Sequence, residues 1–126
     1  YFLGTMITNP KVLGGKVADM ITAMTEKKTV TQLTSISTGV SLNAQSGVVT
    51  TFALTTSAST DCGSFTVTNN KCFSNSVVIV TVGNSGTGSP IATITSTSNG
   101  SFVVKLRNVH TATALNSALT INFQII

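Results

Sequence analysis

From Thr29 onward, apolar and polar residues alternate with a period of two, which is the spacing of a half-buried β-strand. Such runs, rich in Ser, Thr and Val, recur at intervals of about 8–15 residues. The predicted strands are Val30–Ile36, Val40–Leu42, Val48–Thr55, Ser64–Thr68, Val77–Val82, Ile91–Thr97, Ser101–Asn108 and Leu119–Ile126. Seven or eight short strands separated by turns predict an all-β domain, an antiparallel β-sandwich of the jelly-roll type.

The same alternation predicts which side chains of the last two strands face the core. These inward residues are Phe102, Val104 and Leu106, followed by Leu119, Ile121, Phe123 and Ile125. Asn99-Gly100 lies between two alternating runs, and this is a strong signal for a tight hairpin turn. Ser46-Gly47 also indicates a turn. The run Val77–Val82 is apolar and β-branched, so it predicts a strand buried on both faces or in the sandwich core.

The first 28 residues follow a different pattern and contain six of the ten charged residues. Apolar side chains recur there at i, i+3, i+4 and i+7, the spacing of one helical stripe; they are Val17, Met20, Ile21 and Met24. The spacing predicts a short helix over about 16–27. We therefore divide the chain into an N-terminal attachment segment, residues 1–28, and a β-sandwich domain, residues 29–126. The stripe is a candidate docking surface for a partner, although a helix packed on its own sandwich would show the same spacing.

Composition narrows the functional classes. The 126 residues include 23 Thr and 15 Ser, but only three acids and one His, and the net charge is +4. Nucleic-acid binding is not expected, because the basic residues are interleaved with acids and the chain has no Trp and a single Tyr. No stretch approaches the ~18 apolar residues that indicate a membrane span. Hydroxyl groups therefore supply most of the polar surface.

Few residues are candidates for site chemistry. Cys62 and Cys72 flank a predicted strand, and either a disulfide or two reduced thiols would fit this spacing. A metal site is not expected, because His110 is the only further ligand of the usual type and no CxxC is present. His110 with a serine and Asp19 or Asp61 could be assembled into a triad on paper, but triads are defined by geometry. We predict no enzymatic activity and no cofactor. The glycine-rich stretch 83–90 lacks the Gly-Lys-Ser/Thr end of a phosphate loop and is interpreted as a flexible loop.

Taken in order, the strands resemble a family of small β-sandwich structural proteins of tailed phages and related environmental viruses. The resemblance rests on Val30–Asn43, Ser46-Gly47 and the strand after it, Phe65–Asn69, Val77–Val82, Gly100–Val104 with Leu106, Asn108–His110, and Ile121–Phe123. It covers about residues 29–126 and does not extend over residues 1–28. Cys62 and Cys72 depart from the family's pattern.

The resemblance implies a virion component located on the particle surface. Such proteins include head decoration (cement) proteins and head- or tail-fibre modules, commonly homotrimers, that bind the major capsid protein or another virion protein. The family has no catalytic or metal-binding residues to carry over. Two alternatives stay open: a fibre or spike module that contacts host glycans through loops such as 83–90, and a self-polymerising extracellular filament in which residues 29–43 are donated to a neighbouring sheet.

Overall fold

The computed structural model of the protein describes residues 27–126, which form two four-stranded β-sheets. The strands are β1 (Lys27–Thr31), β2 (Val40–Ser41), β3 (Ser46–Thr50), β4 (Thr60–Thr68), β5 (Val78–Asn84), β6 (Pro90–Ser98), β7 (Ser101–Asn108) and β8 (Leu119–Ile125). Sheet A has the order β1-β3-β8-β5, and sheet B has the order β2-β4-β7-β6. The all-β prediction is confirmed for the described residues. The helix predicted over about 16–27 lies outside them, except that Lys27 begins β1.

The prediction of a wholly antiparallel arrangement is wrong at one edge of each sheet. β1 pairs with β3 in parallel, and β2 pairs with β4 in parallel, whereas all other pairs are antiparallel. The reason lies in the path of the chain. Consecutive strands from β1 to β6 alternate between the sheets, so strands two apart in sequence run in the same direction and can pair in parallel without a hairpin.

The core lies between the two sheets, and its side chains come from the inward positions of both. The buried apolar residues on the strands of sheet A are Val49, Leu119, Ile121, Phe123 and Ile125; those of sheet B are Val40, Phe65, Val67, Phe102, Val104 and Leu106. The rings of Phe102 and Phe123 meet edge to face, with centroids 5.2 Å apart and an interplanar angle of 62°. This contact joins β7 to β8, so the two sheets are held together at their central strands.

The structure confirms the inward faces predicted for β7 and β8, and Asn99-Gly100 forms the turn between β6 and β7. Gly100 has a φ of 91°, a conformation that few residues other than glycine adopt. Ser46-Gly47, predicted as a turn, instead begins β3. A Cβ on Gly47 would lie 2.6 Å from Leu42 Cδ2 and 2.9 Å from the Phe123 ring, so any other residue there would displace these two buried core side chains.

Two further expectations need correction. Residues 60–63 were expected in a loop, but β4 begins at Thr60, and its register with β7 shifts between Asp61 and Gly63. The run Val77–Val82 predicts a strand buried on both faces or in the sandwich core, and its inward residues, Val78, Val80 and Val82, do pack against the core while half-buried. β5 is instead an edge strand whose residues alternate between half-buried and exposed, with Ile79 50% exposed. A run of apolar residues does not by itself show whether a strand lies in the interior of a sheet or at its edge.

Buried side-chain amides connect the loops to the sandwich. Asn108 accepts hydrogen bonds from the backbone N–H groups of Ser89 and His110, both at 3.1 Å, and donates to the carbonyls of Thr56, Ser57 and Thr113 at 2.9–3.3 Å.

Two other amides act in the same way. Gln32 donates to two carbonyls in the β1–β2 connection and accepts from Phe52 N–H. Asn69 exchanges hydrogen bonds with the backbone of Ala44. Backbone groups that would otherwise be buried without partners are satisfied in this way.

Phe102→Ala is expected to lower the free energy of unfolding by about 3–5 kcal/mol, because it removes a fully buried ring from the junction of the sheets. Val103→Ala is the matched control, since Val103 is on the opposite face of the same strand and is half-buried. Its cost is expected to be about 1 kcal/mol or less. Urea denaturation of both variants measures the difference, and equal costs would contradict the assignment of the core.

Asn108→Ala is expected to destabilise the protein by about 1–3 kcal/mol, because it removes a fully buried side chain and the hydrogen bonds of five part-buried backbone groups. Asn116→Ala is the control. The Asn116 side chain accepts one hydrogen bond from Thr87 N–H at 2.8 Å, but it is exposed, so water can replace it. Chemical denaturation measures the loss in free energy of unfolding for each variant. Equal losses in the two variants would contradict the bracing role of Asn108.

Candidate interaction surface

The outer face of sheet A is a broad surface of small polar side chains. The register of the four strands aligns three rows across it: Lys27, Ser46, Gln124 and Ile79; Thr29, Val48, Asn122 and Thr81; and Thr31, Thr50, Thr120 and Gly83. We call this set the hydroxyl face. All its residues are exposed or half-buried, since the inward positions of the same strands supply the core.

Lys27 carries the single charge of the hydroxyl face within the described residues. Its Nζ donates a hydrogen bond to Asn122 Oδ1 at 2.7 Å, reaching across β3 to β8. Three threonines, Thr31, Thr50 and Thr120, are directly opposite one another on adjacent strands. Adjacent strands are separated by about 4.8 Å, so these hydroxyl groups form a regular row. Apart from Lys27, such a face can form many weak hydrogen bonds without burying a charge.

The outer face of sheet B contains a cluster of charges. Asp61 on β4 is opposite Arg107 on β7, and its Oδ1 accepts a hydrogen bond from Arg107 Nη1 at 2.7 Å. Its other oxygen lies 3.5 Å from Lys105 Nζ. The Arg107 hydrogen bond is the main reason that the pKa of Asp61 is lowered, and the positive charges of Lys105 and Arg107 act in the same direction. All three side chains are about half exposed, so solvent screens the attraction between their charges.

The candidate disulfide between Cys62 and Cys72 is not formed, and both residues are free thiols. Cys62 is the extra residue of the β4 bulge, opposite the Leu106–Arg107 end of β7. The thiol of Cys72 donates to the carbonyl of Ser101 at 3.3 Å, at the other end of β7. These ends are about 17 Å apart at the rise of an antiparallel strand, whereas bonded cysteines need Cα atoms within about 7 Å. Burial raises the pKa of the Cys62 thiol, which opposes thiolate formation.

His110 serves the local backbone. Its Nδ1 accepts hydrogen bonds from the N–H groups of Ala112 at 3.0 Å and Thr113 at 2.9 Å, so this nitrogen is occupied. Asp61 is bound to Arg107, and the carbonyl of His110 accepts from Ser59 N–H. The triad considered from the sequence is therefore not assembled with Asp61, and Asp19 lies outside the described residues. Among residues 27–126, no three His, Cys, Asp or Glu side chains form a group that could hold a metal ion.

The glycine-rich loop between β5 and β6 is braced by hydrogen bonds. The side chain of Asn84 donates to the Thr87 carbonyl at 3.1 Å and accepts from the Ser117 hydroxyl at 2.7 Å. Thr87 also donates to the Ala114 carbonyl at 2.7 Å. The predicted flexible loop is thus tied to the connection between β7 and β8.

The candidate docking stripe, Val17, Met20, Ile21 and Met24, lies outside the described residues. Within residues 27–126, no helix has the length and apolar character needed to cross a membrane. Comparison of the chain with models of known protein families, with curated proteins and with solved structures found no match. The hydroxyl face could not be predicted from the sequence, because its residues come from four segments that only the strand pairing brings together.

The stability that Asp61 provides should depend on pH with a defined sign. Because its pKa is lowered in the folded protein, the contribution is fully present above the ordinary value of 3.8 and is lost as pH falls below it. The difference in urea midpoint between the wild type and Asp61→Asn is therefore expected to shrink as the solution is acidified below pH 3.8. Repeating the comparison in an Arg107→Gln background supplies the control, where the difference should be smaller at neutral pH. A difference that grows on acidification would contradict the assignment.

Proposed function

We propose that this chain is a non-enzymatic structural protein of a virus particle, a decoration protein that attaches to the surface of a phage-like head. The proposed assembly is a homotrimer, and the proposed partner is the major capsid protein or another virion protein. We also propose that the sandwich is of the jelly-roll type. Supporting this, consecutive strands from β1 to β6 cross between the two sheets, as strands of a jelly roll do; the parallel pairs β1–β3 and β2–β4 are departures from that fold's antiparallel pairing.

The observation that carries the proposal is the hydroxyl face. Its polar groups are almost all hydroxyls and amides, so covering it with another protein requires little desolvation of charge. Each hydrogen bond formed there is worth only about 1 kcal/mol. A surface of this kind suits a protein whose attachment depends on many simultaneous contacts, because linked contacts raise the overall affinity without any single strong one.

Attachment of this type would also stabilise the shell. A protein that binds the assembled lattice but not its separated subunits shifts the equilibrium toward the assembly by mass action. The chain's low charge supports this function, since charged residues make up only 8% of the sequence. Repulsion between neighbouring copies on a lattice would therefore be small.

The N-terminal stripe is the proposed docking element for the particle. Residues 1–26 precede β1, and β1 is an edge strand of sheet A, the sheet whose outer surface is the hydroxyl face. A partner bound to the stripe and a partner bound to this face could thus be the same protein. Methionine side chains adapt to irregular apolar surfaces, which favours Met20 and Met24 as contacts.

The two alternatives receive less support. Glycan binding through the loop 83–90 receives less support, because this loop contains no aromatic residue on which a sugar ring could stack. Donation of residues 29–43 to a neighbour would require leaving the parent sandwich. That segment contains part of β1 and all of β2, and Gln32 ties it to the parent sandwich by accepting from Phe52 N–H at 3.1 Å and donating its own N–H to the Thr50 carbonyl at 2.9 Å.

The proposal is tested with virus particles purified from the source of the sequence. The full chain is expected to co-sediment with intact particles and to appear on the capsid surface in electron micrographs. Met20→Asp should weaken this attachment by about tenfold or more, because it places a charge in an apolar contact. Thr22→Asp is the control, since Thr22 lies off the stripe in a helical projection and should bind as the wild type does. Absence of the wild-type chain from particles, or its recovery in cell-surface filaments, would overturn the proposal.

A further inference from the structure

The two sheets have four edges within the described residues, and three of them carry features that prevent a further strand from adding. β1 has Lys27 and Lys28, β2 is only two residues long, and β6 begins at Pro90 and is bulged between Ile94 and Ser96. Short strands, lysines, prolines and bulges are the usual means by which proteins block pairing at sheet edges.

The fourth edge, β5, has none of these features. Its seven residues, Val78–Asn84, contain no charge and no proline, and its pairing with β8 continues without a shift in register. Within the described residues, β8 is its only ladder neighbour; β6 lies beside it in the other sheet without pairing to it. Val, Ile and Thr make up five of its seven positions, a composition that favours pairing with another strand.

The pairing with β8 shows which backbone groups of β5 point outward. Val77 and Ile126 exchange two backbone hydrogen bonds, at 2.8 and 3.2 Å. Because hydrogen-bonded positions alternate along an antiparallel ladder, the backbone N–H and C=O groups of Ile79 and Thr81 also point toward β8. The N–H and C=O groups of Val78, Val80 and Val82 are therefore directed away from the sheet. They form a row of donors and acceptors that an added strand would satisfy.

Exposed apolar side chains are concentrated at the same edge. Val77 is 58% exposed, Ile79 50% and Ile126 67%, and the register puts all three on the outer face of sheet A. Phe73, also more than half exposed, lies with Ile126 along one depression at the end of β8. Three of the eight exposed large apolar residues in the described part of the chain, Val77, Ile79 and Ile126, are thus neighbours on the pair formed by β5 and β8.

We propose that the β5 edge binds β5 of a second copy of this chain, in an antiparallel pair related by a two-fold axis. Such a pair would continue sheet A from one molecule into the next. The outward groups of Val78, Val80 and Val82 on both copies would form up to about six backbone hydrogen bonds. Ile79 and Val77 would then contact side chains of the partner strand on the outer face.

The absence of charge on β5 and the self-complementarity of its backbone groups favour a second copy as the occupant. An uncharged edge strand meets an identical uncharged strand without burying an unpaired charge. The two-fold arrangement also requires one surface to be complementary to itself, and a row of alternating donors and acceptors has this property when the partner is antiparallel. The contact does not depend on the proposed virion function, and it would link two chains or two trimers equally.

The test compares three full-length proteins by sedimentation equilibrium across micromolar concentrations: the wild type, Ile79→Lys and Ile91→Lys. Ile79→Lys puts a lysine on the β5 edge in each copy and should weaken association by about tenfold or more. Ile91→Lys makes the same change at an exposed isoleucine of another edge strand, β6, and should associate like the wild type. Unchanged thermal unfolding of both variants would show that folding is intact.

The expected result is that the molecular mass of the wild-type protein doubles as its concentration rises, from one to two chains or from one to two trimers. Equal weakening by both lysine variants, a wild type that never doubles, or open-ended polymers would each overturn the β5 contact. Attachment to virus particles is measured separately. A protein that doubles in mass but does not attach to virus particles would argue against the proposed function and support the β5 contact. A protein that attaches to particles but never doubles would support the proposed function and argue against the β5 contact.

Discussion

The packing of β7 against β8 holds the two sheets together, and the remaining strands are arranged around it. These strands occupy interior positions of sheets B and A, and the edge-to-face contact of Phe102 with Phe123 lies between them. Because side chains alternate along a strand, burying one face of β8 fixes the other face as well. Thr120, Asn122 and Gln124 therefore point outward, and they form the centre of the hydroxyl face. The surface is thus a consequence of the core.

The buried polar side chains in the described part of the chain are mainly neutral amides. Asn69 and Asn108 are fully buried, and their hydrogen bonds go to loop backbone. A buried amide with all its partners costs far less than a buried ion, which must recover a large loss of hydration. The arrangement matches a chain with few charges: its Asp61 cluster is at the surface, where water screens it. The hydrogen bonds that Asn69 and Asn108 make to the loops are therefore formed by uncharged side chains.

Local patterns predicted the parts of the fold that depend on neighbouring residues alone. The faces of β7 and β8 followed from period two, and the turn at Asn99-Gly100 followed from its dipeptide. The parallel pairing of β1 with β3 could not be predicted, because it depends on which sheet each strand joins. Gly47 was interpreted as part of a turn, although its function is to let Phe123 approach the backbone. The apolar run in β5 could not show whether the strand is central or at an edge.

The hydroxyl face and the β5 edge belong to the same sheet but face in different directions. A partner on the face contacts side chains and approaches perpendicular to the sheet, whereas a partner on the edge contacts backbone groups and approaches within its plane. The face offers many weak contacts with little directionality, and the edge offers a few strongly oriented ones. Because the two directions are perpendicular, a partner on either surface leaves most of the other accessible; the two surfaces share the outward positions of β5, Ile79, Thr81 and Gly83. One molecule could therefore lie on a larger lattice through its face and join its neighbour through its edge.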